Sequence, residues 1–149
     1  STGTPGTSGS TGSSGRGFPA LAPWVSFYGA AADMGGLAKA ASTFRILNID
    51  ADPYIGNFTP SEITTLKNGG QNRVISYLNV GSCENFRDYW STVPSGFVSC
   101  SANTTAQLGP YDGYPDETWM NVGNAAYQHL IVDFVAPRLI AQGADGFFL

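Results

Sequence analysis

The 149-residue chain is 42% hydrophobic but only 12% charged, about half the charged share usual for a soluble domain. With 13% aromatics this composition excludes a disordered chain. A net charge of −4, from seven basic and eleven acidic residues, supplies no basic stripe for nucleic acid or an anionic membrane. The longest apolar runs fall far short of the ~20 residues that cross a bilayer, so no integral membrane segment is expected.

Residues 1–17 hold only Ser, Thr, Gly, one Pro and one Arg. Without apolar side chains they cannot bury a core, which predicts a flexible linker, with a cloning remnant as the plainer source. Such tethers join an anchor or a second module to an exported domain. A signal peptide, if there is one, lies upstream of Ser1. The folded domain is expected over 18–149. Residues 24–28 (WVSFY) favour a strand, residues 36–42 (GLAKAAS) a short helix, and residues 44–49 (FRILNI) a second strand. Thr59-Pro60-Ser61-Glu62 is a capping box with proline where its missing N–H costs nothing, and Asn68-Gly69-Gly70 closes that helix. Residues 73–80 (RVISYLNV) read as the third strand and 85–90 as a short helix. The Gly/Pro/Ser/Asn-rich segment 92–123 reads as a long functional loop. Asn124 caps a helix whose Tyr127, Leu130, Ile131, Phe134 and Val135 share a face. Pro137 predicts a kink or restart in it, Gly143 its end, and residues 146–149 a fourth strand.

Strands alternating with helices predict an α/β fold with parallel pairing. Two architectures satisfy that: the N-terminal half of a (β/α)8 TIM barrel, whose whole runs to about 250 residues, or an open doubly wound parallel sheet. An apolar strand at the very end predicts a domain cut short. In both architectures the chemistry sits where strands end. Those positions hold Tyr28, then Asp50 and Asp52, then Asn79 and Glu84, and the long loop adds Tyr111, Asp112, Tyr114, Asp116, Glu117 and Trp119. Carboxylates interleaved with Tyr and Trp suit a polysaccharide, because rings stack on a pyranose face while acids and amides hold its polar edge. Hydrolysing a glycosidic bond takes two carboxyl groups across it.

Plainer roles exist for the same residues. Asp50 and Asp52 precede Pro53 and can simply set a turn, Glu84 can cap a helix, Trp119 can be packing, and His129 reads as an ordinary helix residue. One histidine and no GxSxG elbow leave no Ser-His-Asp set, GSSGRG lacks the context of a phosphate loop, and the cysteines offer no zinc site. No cofactor and no metal are expected. Cys83 and Cys100 are either two thiols or one disulfide, and an oxidising compartment would favour the bridge.

The segment RVISYLNVGSCENFRDYW resembles the third-strand motif of the glycoside hydrolase 114 family, the endo-α-1,4-polygalactosaminidase-like enzymes. There a strand ending in Tyr-(Leu/Phe)-(Ser/Asn)-x-Gly precedes a Glu and an Arg. Gly113-Tyr114-Pro115-Asp116-Glu117-Thr118-Trp119 is similar to the family's Pro-(Gly/Asp)-Glu-x-Trp loop. Residues 142–149 (QGADGFFL) are similar to its Gly-x-Asp-Gly fourth strand. The resemblance implies a barrel, a secreted or cell-surface protein, and a galactosamine-containing α-1,4-linked polysaccharide as substrate. It implies that one catalytic carboxylate follows Leu149 and its partner comes later, and that Asp145 is structural. Tyr28, Asp50, Asn79, Glu84 and Trp119 are then the candidate substrate-binding residues, and no catalytic residue is assigned. The competing reading is a non-catalytic polysaccharide-binding domain on the same scaffold.

Overall fold

A computed structural model of the chain describes residues 17, 18 and 21–149. The linker expected over 1–17 lies outside the described residues apart from its last glycine. A four-stranded parallel sheet is built from β1 (Trp24–Phe27), β2 (Ile46–Ile49), β3 (Arg73–Tyr77) and, at the far edge, β7 (Gly146–Phe148). The strands lie in chain order, β1-β2-β3-β7, with no reversal. A doubly wound sheet reverses at a switch point, whereas a barrel adds each strand beside the last, so this is the partial barrel.

Alternation and register divide the sheet into two faces. Leu47, Ile49 and Val74 are fully buried against Ile63, Leu66 and Phe58, beneath α1 (Leu37–Thr43) and α2 (Pro60–Lys67). Each such side chain contributes roughly 1.5–3 kcal/mol by leaving water. The opposite face carries Ser26, Asn48, Ile75 and Tyr77, one from each alternate position. The capping box of α2 is complete: the Thr59 hydroxyl accepts from the Glu62 amide, and Glu62 accepts from the Thr59 amide at 2.7 Å. Asn68, rather than a glycine, takes the left-handed cap position (φ 46°), with Gly69 continuing it. Buried Asn72 then joins the ends of both helices, donating to the carbonyls of Ala41 (2.7 Å) and Leu66 (2.8 Å). Asp145 accepts the Val74 amide at 3.0 Å and pairs with Lys67 at 2.9 Å, a structural role that fastens β7 to β3.

Two expectations are corrected here. Residues 85–90 are not a helix. Residues Ser82–Glu84 form strand β4, and only a 3-10 turn follows over Asp88–Trp90. Segment 92–123 is not all loop, because β5 (Gln107–Tyr111) and β6 (Tyr114–Met120) form a hairpin that pairs with β4 in a second, antiparallel sheet, order β4-β6-β5. Asp112-Gly113 makes the turn, with Gly113 at φ 83°. Pro110 sits on an edge strand, and Pro115 lies beyond the last β4–β6 pair, positions where a strand tolerates a missing N–H.

The second core packs this sheet on the helical segment that follows it. Leu78, Tyr89, Met120, Tyr127, Leu130, Val135 and Leu139 are buried together. Asn124 caps α3 (Ala125–Leu130) by accepting the Tyr127 amide at 3.0 Å. Between α3 and α4 (Ala136–Ala141) the backbone widens to a π-helix over Ile131–Val135. That widening absorbs the clash expected from Pro137 without a break. Cys83 and Cys100 are joined by a disulfide, Cα to Cα 6.4 Å, which ties β4 to the loop before β5.

Candidate functional site

The C-terminal ends of β1, β2 and β3 converge with the antiparallel sheet, and the charged centre of that region is Arg87. Its Nη1 lies 3.0 Å from Asp50 and 3.4 Å from Asp52, and its Nε donates to Glu84 at 2.6 Å. All four side chains are less than one-tenth exposed. Three carboxylates around one guanidinium leave a buried negative excess, which Arg138 moderates from 3.8 Å while it clasps Asp88 with two bonds. Burial raises the Glu84 carboxyl above its ordinary range, against the opposing pull of Arg87. Burial alone would favour deprotonating Arg87, but its bonds to Asp50 and the nearby Glu84 more than offset that, so it stays charged.

Asp50 and Asp52 also set the turn. Asp50 accepts the Asp52 amide at 3.1 Å, and Asp52 accepts the Tyr54 amide at 2.8 Å. The turn reading and the charged-cluster reading of these residues therefore hold together. Glu84 caps no helix; it stands in β4 opposite Glu117 of β6.

Glu117 belongs to a neighbouring polar group. Its Oε2 accepts from the Asn79 amide at 3.0 Å and from the Ser82 hydroxyl. The Asn79 amide also reaches Ser82 Oγ at 2.7 Å, while its carbonyl accepts the Ser82 backbone N–H at 3.0 Å. Above this group Trp119, 39% exposed, tilts against Tyr111 with ring centres 3.9 Å apart. Gly81 lies against the same indole, where a Cβ would make van der Waals contact at 3.4 Å.

On the sheet face away from the helices, Asn48 donates to Tyr28 Oη at 2.6 Å and to Ser26 Oγ at 2.9 Å, and its own carbonyl oxygen is buried without a partner among the described residues. Tyr28 leans on Tyr77, ring centres 5.3 Å apart. Burial, then the charges of Glu84 and Glu117, push the Tyr77 hydroxyl far above the usual phenol range, so it remains a hydrogen-bond donor.

Of the five predicted substrate-binding residues, Asp50 and Glu84 meet at Arg87, and Asn79 meets Trp119's sheet through Glu117. Tyr28 is linked to the rest through Tyr77, whose ionisation both Glu84 and Glu117 oppose. Sequence reasoning left out Arg87, Ser82, Tyr77 and Asn48 as site residues. The available signals were an Arg three residues after the strand-end Glu, and Asn48 as a polar residue inside an apolar strand. His129 stays outside the site, exposed and paired with Asp133 at 2.7 Å. Among the described residues no group of His, Cys, Asp and Glu could hold a metal ion, and no helix is long and apolar enough to cross a membrane.

The arrangement has similar solved structures. Ega3 from Aspergillus fumigatus, solved in complex with galactosamine, superposes with a TM-score of 0.66 at 22% identity. The match covers 89% of this chain and 45% of Ega3. The glycoside hydrolase domain of PelA from Pseudomonas aeruginosa gives 0.61 at 16% identity, over 85% of this chain and 43% of that one. The chain thus spans less than half the length of either structure, and the likeness identifies the fold. No curated protein matches the sequence. A family model matches residues 17–149, nearly the whole chain, and by that match the chain belongs to glycoside-hydrolase family GH114.

Proposed function

We propose that this chain forms the first half of a secreted or cell-surface glycoside hydrolase that cleaves α-1,4-linked, galactosamine-containing polysaccharide. The observation that carries the reading is the run of tyrosines, tryptophan and carboxylates at the C-terminal ends of the parallel strands, where barrel enzymes of every chemistry keep their sites. Membership of GH114 supports hydrolysis of a glycosidic bond, and the galactosamine bound to Ega3 supports the sugar. The Cys83–Cys100 bridge supports an oxidising, extracytoplasmic setting.

Tyr28, Asn79 and Trp119 face the sugar chain, and Asp50 and Glu84 shape the cleft floor through Arg87. The general acid and its partner carboxylate come from residues outside 1–149. That assignment is supported by the engagement of Asp50, Asp52 and Glu84 with Arg87, which holds the three carboxylates in one buried ion cluster. The same engagement is what favours a non-catalytic, polysaccharide-binding role if the missing carboxylates do not exist.

The test is reducing-end release from α-1,4-galactosamine polymers, acetylated and de-N-acetylated, by the full-length protein and by residues 1–149. Release by the full-length protein alone is expected, weakened by Asp50→Asn or Glu84→Gln. Hydrolysis by residues 1–149 would overturn the assignment of the catalytic pair. Binding without release by the full-length protein would make the domain a polysaccharide-binding module.

A further inference from the structure

Asn68-Gly69 is the only Asn-Gly pair in the chain. It makes the turn that ends α2, and both residues take left-handed backbone conformations, Asn68 at φ 46°, ψ 57° and Gly69 at φ 64°, ψ 22°. Asn68, Gly69 and Gly70 are all exposed. Open space surrounds them: a Cβ on Gly69 or Gly70 would find no neighbour within 4 Å. Among the described residues Asn68 bonds through its backbone, its N–H to Thr65 and its carbonyl from Gln71, which leaves the side-chain amide to solvent. Every other asparagine precedes a residue with a side chain, which crowds the approach of the following nitrogen. Asp112-Gly113 and Asp145-Gly146 offer only a carboxylate, a poorer electrophile than an amide. The turn is also a joint. Gln71 N–H donates to the Asn68 carbonyl at 3.2 Å and Asn72 N–H to the Lys67 carbonyl at 3.1 Å. Those bonds seat buried Asn72, which ties the ends of α1 and α2 together.

We propose that Asn68 is a site of spontaneous covalent modification in the folded protein, a deamidation through Gly69 that loosens the joint between α1 and α2. The Gly69 nitrogen gives its proton to solvent and attacks Asn68 Cγ. The new N–Cγ bond closes a five-membered succinimide, while the Cγ–Nδ2 bond breaks and ammonia leaves. Water then opens the ring at either carbonyl. Opening at Cγ gives aspartate; opening at the former backbone carbonyl gives iso-aspartate, whose chain runs on through the side-chain carbon. No oxidant or reductant takes part. Both products place a negative charge at the C-terminal end of α2, where the helix dipole disfavours it. Iso-aspartate does more. It adds a backbone atom inside the turn and turns the carbonyl that accepts from Gln71 into a free carboxylate. The Asn72–Lys67 bond spans the same insertion, so Asn72 loses the backbone frame that aims its amide at Ala41 and Leu66.

The test ages the full-length protein in mildly alkaline buffer well below its melting temperature, with and without unfolding urea. Peptide mass mapping reads the conversion of amide to acid, and isoaspartyl methyltransferase labelling locates the iso-aspartate. The native wild type should convert at Asn68 several-fold faster than at any other asparagine, with iso-aspartate the larger product. The iso-aspartate fraction, separated by ion exchange, should melt several degrees below unaged protein. Asn68→Gly, which takes the left-handed cap without strain, should fold, resist ageing and keep its melting temperature. Freshly prepared Asn68→Asp carries the charge without the extra backbone atom and should melt between the two. Conversion confined to the urea-unfolded protein, or faster at another asparagine, overturns the site. Iso-aspartate at position 68 with unchanged melting overturns its link to the joint. Asn68→Asp melting as low as the iso-aspartate fraction overturns the part given to the backbone.

Discussion

Removing the Arg87 side chain would leave Asp50, Asp52 and Glu84 turned toward one another with no counter-charge at their centre. Breaking a buried ion pair from one side costs about 3–5 kcal/mol, because the remaining charges stay desolvated. Arg87→Met is therefore expected to lower the urea midpoint sharply, with Arg87→Lys intermediate, since an ammonium cannot fork between Nε and Nη contacts. A Met variant as stable as the wild type would mean that the cluster is already neutralised by protons. At this scale the sequence was half legible. Position at a strand end was enough to select Asp50, Asn79 and Glu84, because parallel strands deliver their ends to one rim. Arg87 was not selected, because an arginine within Asn85-Phe86-Arg87-Asp88 looks like a solvated residue until the topology brings residue 50 beside it. The pairing of Glu117 with Asn79 was hidden for the same reason: 38 residues separate them in the chain.

Among the elements, those with local causes were legible in the sequence and those with distant causes were not. The capped helix α2 announces itself in four residues, and its observed span agrees with them. The hairpin β5–β6 was lost because Pro110, Pro115 and Gly109 argue against strands, although Asp112-Gly113 is the turn that joins them. The right reading needed an edge for Pro110 and a free end for Pro115, which only strand order supplies. Gly143 is a helix end that the sequence located for the right reason and with a second reason unseen. It sits at φ 113°, and a Cβ there would stand 3.1 Å from Ile63 of α2. Gly143→Ala should destabilise by roughly 1–3 kcal/mol through backbone strain alone, with crowding of Ile63 added to that. Thermal melts of Gly143→Ala beside Gly35→Ala, a left-handed glycine with open space around it, separate strain from crowding. Equal losses in the two would remove Ile63 from the explanation.

For the molecule as a whole, the parallel sheet ends in two strands with no neighbour beyond them among the described residues, β1 and β7. Trp24 is 63% exposed and Phe148 47% exposed, each on an edge strand. Open strand edges flanked by exposed aromatics invite pairing with another chain. Residues 1–149 by themselves are expected to self-associate, or to unfold without a single steep transition in urea. A sedimentation experiment on that fragment, with circular dichroism, is the check, and a monomer with one sharp transition would contradict it. The order β1-β2-β3-β7 also has a consequence in time. On a ribosome the chain emerges from its N-terminus, and each parallel strand finds its partner already made, so the sheet can grow by addition at one edge. The exception is the step from β3 to β7, which must wait while the whole antiparallel excursion, with its cysteine bridge, is threaded out and packed. During that wait β3 is the growing edge, and the backbone groups of residues 75–78 that β7 will pair with have no partner strand. The nascent protein's most vulnerable interval, when a chaperone has most to do, is the synthesis of residues 78–145.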